Sequence, residues 1–322
     1  MKVKNFLARP IGLGALIFCF FLLTACERSV ITPPVIPPDD TEEPEIPEVV
    51  ISTKKGVGMG TGTSIGVWWK NLINLKPYWF FTWGTFLTDA QWDLLPEGIE
   101  FIPMFWNGAG VNQANIDRLN ALHEAGRVNY LLGFNEPDLA VEANMTVEEA
   151  LVRWKFISDN IHPGIKLISP AESYPRMGQD NWLVRFMRGV EEQGLRVDYI
   201  QARIYAPSMT VNYFTDRIRD YSELFGGKKI WLTELGVRNY PALDAGRPDL
   251  NPNTPLQTRI FLQSLLPALD AMEQLDRYAW FQPSPTMAGL WPGMLIDVNG
   301  VPTIVGEFYR DFQPNNNIVP RQ

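Results

Sequence analysis

Cysteine is nearly absent. The 322-residue chain has two, Cys19 and Cys26, both close to its start. Everything beyond them has no disulfide, no thiol nucleophile and no thiolate metal site. Histidine is equally scarce, with only His123 in a helical pattern and His162 in the turn before Pro163. Two scattered imidazoles supply no ligand set for a transition metal, so no metal or other cofactor is expected. Basic clusters are lacking too. The net charge is −8, and a product starting at Cys26, without Lys2, Lys4 and Arg9, is more acidic still. Such a surface repels phosphate backbones, which excludes nucleic acid as a natural partner. Long apolar runs are also missing: the stretch from Ile11 to Leu23 is shorter than the roughly 20 residues of a membrane-spanning helix.

What the N-terminus does have is a targeting pattern. A basic start (Lys2, Lys4, Arg9) precedes that apolar stretch, which ends Leu23-Thr24-Ala25-Cys26. The last four residues resemble the lipobox of bacterial lipoproteins. The resemblance implies a signal peptide over 1–25, a lipid on Cys26, and a protein anchored in the bacterial cell envelope, at the outer membrane on its periplasmic or surface side. An ordinary secretory signal containing a Cys is the alternative. Six prolines between Pro33 and Pro47 then alternate with Asp39, Asp40, Glu42, Glu43, Glu45 and Glu48. Proline stiffens a chain and like charges extend it, so 26–53 reads as a tether rather than a docked tail. Residues 54–322 remain as one large domain, expected to be a monomer.

Within it, short apolar runs alternate with helical patterns. Strands are predicted over 56–60, 78–83, 101–106, 130–136, 166–171, 199–205, 229–235 and 278–282, the Gly-rich first being the weakest. Thr146-x-x-Glu149 is a capping box ahead of Val147, Ala150, Leu151, Trp154, Ile157 and Ile161 at helical spacing. Thr254-Pro255-x-Gln257 starts another helix, and Ile116, Leu119 and Leu122 mark a third. Eight strand–helix units over about 260 residues are the count and size of an α/β fold of the (β/α)8 TIM-barrel type. A doubly wound open sheet is the alternative, but it gives no reason for eight units.

Two of these strands stop at a glutamate: Leu131-Leu132-Gly133-Phe134-Asn135-Glu136 and Ile230-Trp231-Leu232-Thr233-Glu234. A carboxylate at the tip of a buried parallel strand is not there for packing. In a barrel, strand tips share the face where active sites are built, so residues far apart in sequence can meet. Paired carboxyls fit glycosidic cleavage, one as acid and one as nucleophile about 5 to 5.5 Å away. The bland reading is two solvent-facing strand-end carboxylates. Aromatic residues form a second group: Trp83, Trp106, Tyr205, Trp280 and Phe281 fall near strand ends, with Trp291 beyond. Flat rings suit sugar faces, and about half are expected to touch substrate, Trp106 and Trp280 first among them.

Other motifs carry less. Gly62-Thr63-Ser64-Ile65-Gly66 matches a nucleophile elbow, yet it follows a weak strand and lacks a histidine partner. The glycines at 56, 58, 60 and 62 fit neither G-x-G-x-x-G nor a phosphate loop. A calcium site around Asp244 to Asp249 has no supporting signal.

The order of the segments resembles glycoside hydrolase family 128, β-1,3-glucanases of the clan with acid and nucleophile on strands four and seven. The matching runs are Tyr78-Trp79-Phe80-Phe81-Thr82-Trp83, Phe101-Ile102-Pro103-Met104-Phe105-Trp106, Leu132-Gly133-Phe134-Asn135-Glu136-Pro137-Asp138, Ser169-Pro170-Ala171, Trp231-Leu232-Thr233-Glu234 and Arg277-Tyr278-Ala279-Trp280-Phe281. The resemblance implies Glu136 as acid/base, Glu234 as nucleophile and Asn135 on the sugar 2-hydroxyl, acting on a β-glucan. One run departs from the pattern. Where such enzymes often carry His-x-Tyr, this chain has Arg203-Ile204-Tyr205. A cation beside Glu234 would hold that carboxylate ionised, or mark an altered substrate such as an acidic sugar. Rival readings are another β-glycan specificity on the same frame, and a surface lipoprotein that binds glycan without cutting it.

Overall fold

The structure, a computed structural model, describes residues 52–62, 65–174 and 178–321. The expected signal peptide, Cys26, nearly all of the tether and Ser64 of the elbow motif lie outside those residues. Among the described residues, no helix is long and apolar enough to cross a membrane.

Among the described residues, eight parallel strands run in chain order: β1 Lys55–Gly58, β2 Trp79–Phe81, β3 Glu100–Phe101, β4 Tyr130–Leu132, β5 Lys166–Ile168, β6 Ile200–Ala206, β7 Ile230–Val237 and β8 Leu275–Phe281. Six form one ladder in the order β3-β2-β1-β8-β7-β6, and β4 pairs with β5. Parallel bridges Met104–Leu132 and Ile168–Tyr199 join the two groups into a ring. Helices α1 Trp68–Leu75, α2 Asp89–Leu94, α3 Gln113–Glu124, α4 Val147–Asn160, α5 Trp182–Glu192, α6 Val211–Leu224, α7 Tyr240–Ala245, α8 Pro255–Asp270 and α9 Ile304–Asp311 lie between and after the strands. The fold is the expected (β/α)8 barrel. The predicted capping box of Thr146 and Glu149 is present on α4, and the predicted helix start at Thr254 begins α8 with a second box, formed with Gln257.

The barrel interior is filled by Trp79, Phe81, Ile102, Met104, Leu132, Ile168, Trp231 and Ala279. This explains the Gly-rich first strand. A Cβ on Gly56 would sit inside the Trp79 indole, and one on Gly58 would come 2.8 Å from the Phe81 ring. Large inward rings on β2 thus leave room only for glycine on β1. The outward residues of β1 pack the other way. Lys55 is fully buried and its Nζ donates to the Tyr309 and Phe312 carbonyls at 2.7 and 2.5 Å, at the end of α9. Carbonyls left open at a helix C-terminus are natural acceptors for a cation.

The N-terminal end of the barrel is stoppered by Arg277. Its guanidinium stacks 4.4 Å from the Tyr130 ring and 4.5 Å from Trp231, and it pairs with Glu100 at 2.6 Å. The open end is therefore the opposite one, where the two glutamates lie.

Candidate active site

Glu234 lies inside β7, and a local irregularity sets its direction. Ala202 of β6 pairs with Leu232, but Arg203 pairs with Glu234, so Thr233 is skipped. Trp231 faces the interior, while Leu232 and Leu235 face the helices. Strict alternation would send Glu234 outward with Leu232. The bulge turns it inward, a common device beside active sites.

Glu136 reaches the same end differently. The ladder of β4 ends at Leu132, earlier than the predicted 130–136. Gly133 crosses directly over the Ser169–Pro170 backbone, where a Cβ would be 2.6 Å from Pro170 N. Beyond it a single bridge joins Asn135 to Ala171, and Glu136 adopts φ 45°, the left-handed region. That turn aims its carboxyl across the mouth of the barrel instead of along the strand.

The two carboxylates meet on one cation. Arg203 Nη1 contacts Glu136 Oε1, and Arg203 Nη2 contacts Glu234 Oε2. Glu234 also accepts from Tyr205 Oη at 2.5 Å and from Trp83 Nε1 at 2.8 Å. Its residue is 1% exposed and all its side-chain partners donate. Glu136 has the Arg203 contact and a 15% exposed side chain. Burial raises the Glu136 carboxyl above its ordinary value; Arg203 pulls it partly back, and the charges of Glu234 and Glu142 push it up again. Burial would lower the Arg203 guanidinium, but Glu234, Tyr205 and Glu136 outweigh this and raise it.

The remaining expected residues divide. Asn135 is 3% exposed, donates to Glu142 Oε2 at 3.1 Å, and leaves its Oδ1 without a partner among the described residues. Trp83, at φ 60°, packs on Phe81 at 4.8 Å and on Phe281 at 5.8 Å. Trp106 is half-buried against the interior cluster, and its carbonyl accepts from Asn135 N at 2.9 Å. Tyr205 meets Phe281 edge-on at 5.8 Å.

Trp280 is a correction. It belongs to the strand–helix layer, is 1% exposed, and donates from Nε1 to Gly293 O at 2.7 Å. Inward positions alternate along β8, so Ala279 and Phe281 face the barrel and Trp280 cannot. Phe281 takes the place expected of Trp280.

Beside Glu136 opens a cavity of about 240 Å³, lined among others by Leu139, Tyr174, Tyr205, Tyr213, Arg217 and Arg238. The sequence reading missed its tyrosines and arginines other than Tyr205 and Arg203. They sit in segments following β5, β6 and β7, which barrel topology brings to the C-terminal face; that was the available signal. His123 and His162 stay apart from this site and meet each other at 4.4 Å with their rings tilted by 40°.

Comparison with known proteins decides the family. Residues 58–309 match the family described as glycosyl hydrolase catalytic core. The chain belongs to that family. It is an O-glycosyl hydrolase. A solved structure of a family 128, subgroup I, endo-β-1,3-glucanase from Amycolatopsis mediterranei, in complex with laminaritriose, is similar at TM-score 0.64 and 29% identity, covering 80% of this chain and 99% of that one. The same glucanase was solved with one glutamate replaced by alanine, and separately with another replaced by glutamine, each with laminari-oligosaccharides. An exo-β-1,3-glucanase of subgroup III from Blastomyces gilchristii shares the fold at TM-score 0.61 and 24% identity, over 81% and 99% of the two chains. Alkali-sensitive linkage protein 1 of Schizosaccharomyces pombe is 27% identical over 271 residues, covering 80% of this chain and 44% of the relative. The chain therefore spans less than half the length of that relative. These likenesses support the family 128 resemblance seen in the motifs.

Proposed function

We propose that this hydrolase cleaves β-1,3-glucan with retention of configuration, Glu234 acting as nucleophile and Glu136 as acid/base. The observation that carries the reading is Arg203, whose single guanidinium touches both carboxylates and so keeps them within reach of one glycosidic bond. The asymmetry of the pair supports the roles. Glu234 accepts from Trp83, Tyr205 and Arg203, as a carboxylate nucleophile should. Glu136 has a raised pKa from burial, which favours a protonated acid.

In the first step Glu136 gives its proton to the glycosidic oxygen while a Glu234 oxygen bonds to the anomeric carbon. The leaving sugar departs with that proton, and the other half remains as an ester on Glu234. In the second step Glu136 takes a proton from water, the water oxygen bonds to the anomeric carbon, and Glu234 is released. Asn135 would offer its free Oδ1 to a sugar hydroxyl, and Trp83 and Trp106 would supply ring surface at the mouth. The glucanase likeness supports the choice of β-1,3-glucan. The run Leu23-Thr24-Ala25-Cys26 supports a place on the bacterial envelope through a lipid at Cys26, and we propose a monomer there.

Soluble β-1,3-glucan is the test. Proton NMR during hydrolysis should show the β-anomer of the product first, with the α-anomer growing in by mutarotation. First appearance of the α-anomer would replace retention by inversion. Cleavage of a mannan or cellulose but not of β-1,3-glucan would reassign the substrate.

A further inference from the structure

Arg203 is occupied by the two glutamates, so reading charge on a substrate would fall to other groups. Two further arginines open onto the cavity beside Glu136. Arg238, the residue after β7, holds its guanidinium 3.9 Å over the Tyr205 ring, and its Nε is buried without a partner among the described residues. Arg217 of α6 stacks on Tyr213 at 4.4 Å, with Nη2 3.5 Å from the Tyr174 hydroxyl. Among the described residues neither arginine has a carboxylate partner.

Among the described residues, the acids near the cavity bond to other groups and none forms an ion pair with either arginine. Asp138 accepts from the Ser173 N–H at 2.9 Å and from its hydroxyl. Glu172 accepts from Trp182 N and Leu183 N at the start of α5, at 3.3 and 3.1 Å. Glu136 is paired with Arg203. Among the described residues the cavity is thus lined by two arginines that no carboxylate contacts directly. An arginine lying flat on a ring keeps its in-plane N–H groups available, and these match an oxyanion fork to fork. A neutral glucan needs no such charge.

We infer that this cavity receives a sugar carrying an oxyanion, either a uronate carboxylate or a sulfate ester, adjacent to the bond being cleaved. Arg238 and Arg217 are its counter-charges. The inference rests on the cleft being the glycosidase site proposed above, and it narrows the substrate class of that site. At about 240 Å³ the cavity has room for one sugar residue.

The test is calorimetric binding to the full chain carrying Glu234→Gln, so that ligands are not consumed. Laminaripentaose is compared with the same oligosaccharide oxidised to a uronate at one C6, and with its 6-O-sulfate. Charge-assisted bonds should make at least one anionic ligand about tenfold tighter than the neutral one at low salt, a margin that shrinks as salt rises. Arg217→Gln and Arg238→Gln should each narrow the margin, and Arg217→Lys should restore part of it. Equal affinity for neutral and anionic ligands, or a margin unmoved by either glutamine variant, overturns the inference. Turnover of neutral β-1,3-glucan by the parent chain would then leave the proposed function standing. Tight anionic binding with no cleavage of any β-1,3-linked chain would instead retain the cavity's assignment and remove the glucanase reading.

Discussion

Arg203 faces Glu234 across the β6–β7 ladder because Thr233 is left out of the pairing. The same guanidinium reaches Glu136, so one residue ties strand six to both carboxylates. Arg203→Ala should therefore act on stability and on pH dependence together. Removing one member of a buried charge cluster leaves the others unpaired and costs about 3 to 5 kcal/mol, readable in urea unfolding. Glu136 loses the cation that pulls its pKa down, so its carboxyl stays protonated to higher pH. The basic limb of kcat/KM, set by loss of that proton, should move upward. A basic limb that stays in place would show that Arg203 does not tune Glu136.

Glu234→Gln keeps the shape of the side chain and removes the proposed nucleophile. Turnover should fall on the order of a thousandfold or more while oligosaccharide affinity is largely kept. Glu136→Ala should spare substrates with a good leaving group more than natural glycan, since only the latter needs strong protonation. Equal loss on both substrate types would contradict the acid role.

Gly56 and Trp79 make a simpler test of the barrel interior. Gly56→Ala places a methyl group inside the indole, so the ring or the strand must move. Overpacking of this kind costs about 1 to 3 kcal/mol. Unfolding midpoints unchanged within error would mean that Trp79 has somewhere to go.

Lys55 predicts a pH dependence. Burial lowers its pKa from 10.5 to about 7, despite the charges of Asp311 and Asp270, which act the other way. Between those values the unfolded chain binds a proton that the native state does not. Stability contributed by this group therefore rises with pH from about 7 towards 10.5, and below about 7 the cost of burying the cation is fully felt. Wild type should gain stability relative to Lys55→Met between pH 6 and pH 9 in paired urea titrations. Parallel curves would show that the helix-end carbonyls hold the proton on Lys55 throughout.

Much of this was readable in the chain because the signals were local. Thr146 with Glu149 and Thr254 with Gln257 cap their helices as the spacing required. Glu136 and Glu234 could be paired because strand ends in a barrel share a face. What escaped was side-chain direction. Strands buried on both sides read as continuous apolar runs, so Ala279-Trp280-Phe281 carries no mark of which residue faces in. The Thr233 bulge is silent for the same reason, although it decides where Glu234 points. Arg217, Arg238 and the cavity tyrosines left no periodic trace, since they are brought together by chain reversals after three different strands.

Trp280 and Phe281 turn that lesson into a measurement. Trp280→Phe removes the bond to the Gly293 carbonyl and leaves a buried acceptor open, at a cost of about 1 to 3 kcal/mol. Because the indole faces the helix layer, kcat and KM should stay near wild type at temperatures where the variant is folded. Phe281 stands between Trp83 and Tyr205, two donors to Glu234. Phe281→Ala should loosen both and lower kcat by roughly ten- to a hundredfold, with a smaller change in KM, because interactions aimed at the reacting charge matter most in the transition state. A Trp280→Phe variant with native stability and a raised KM would put the indole back in the substrate groove and reverse the assignment of inward and outward positions on β8.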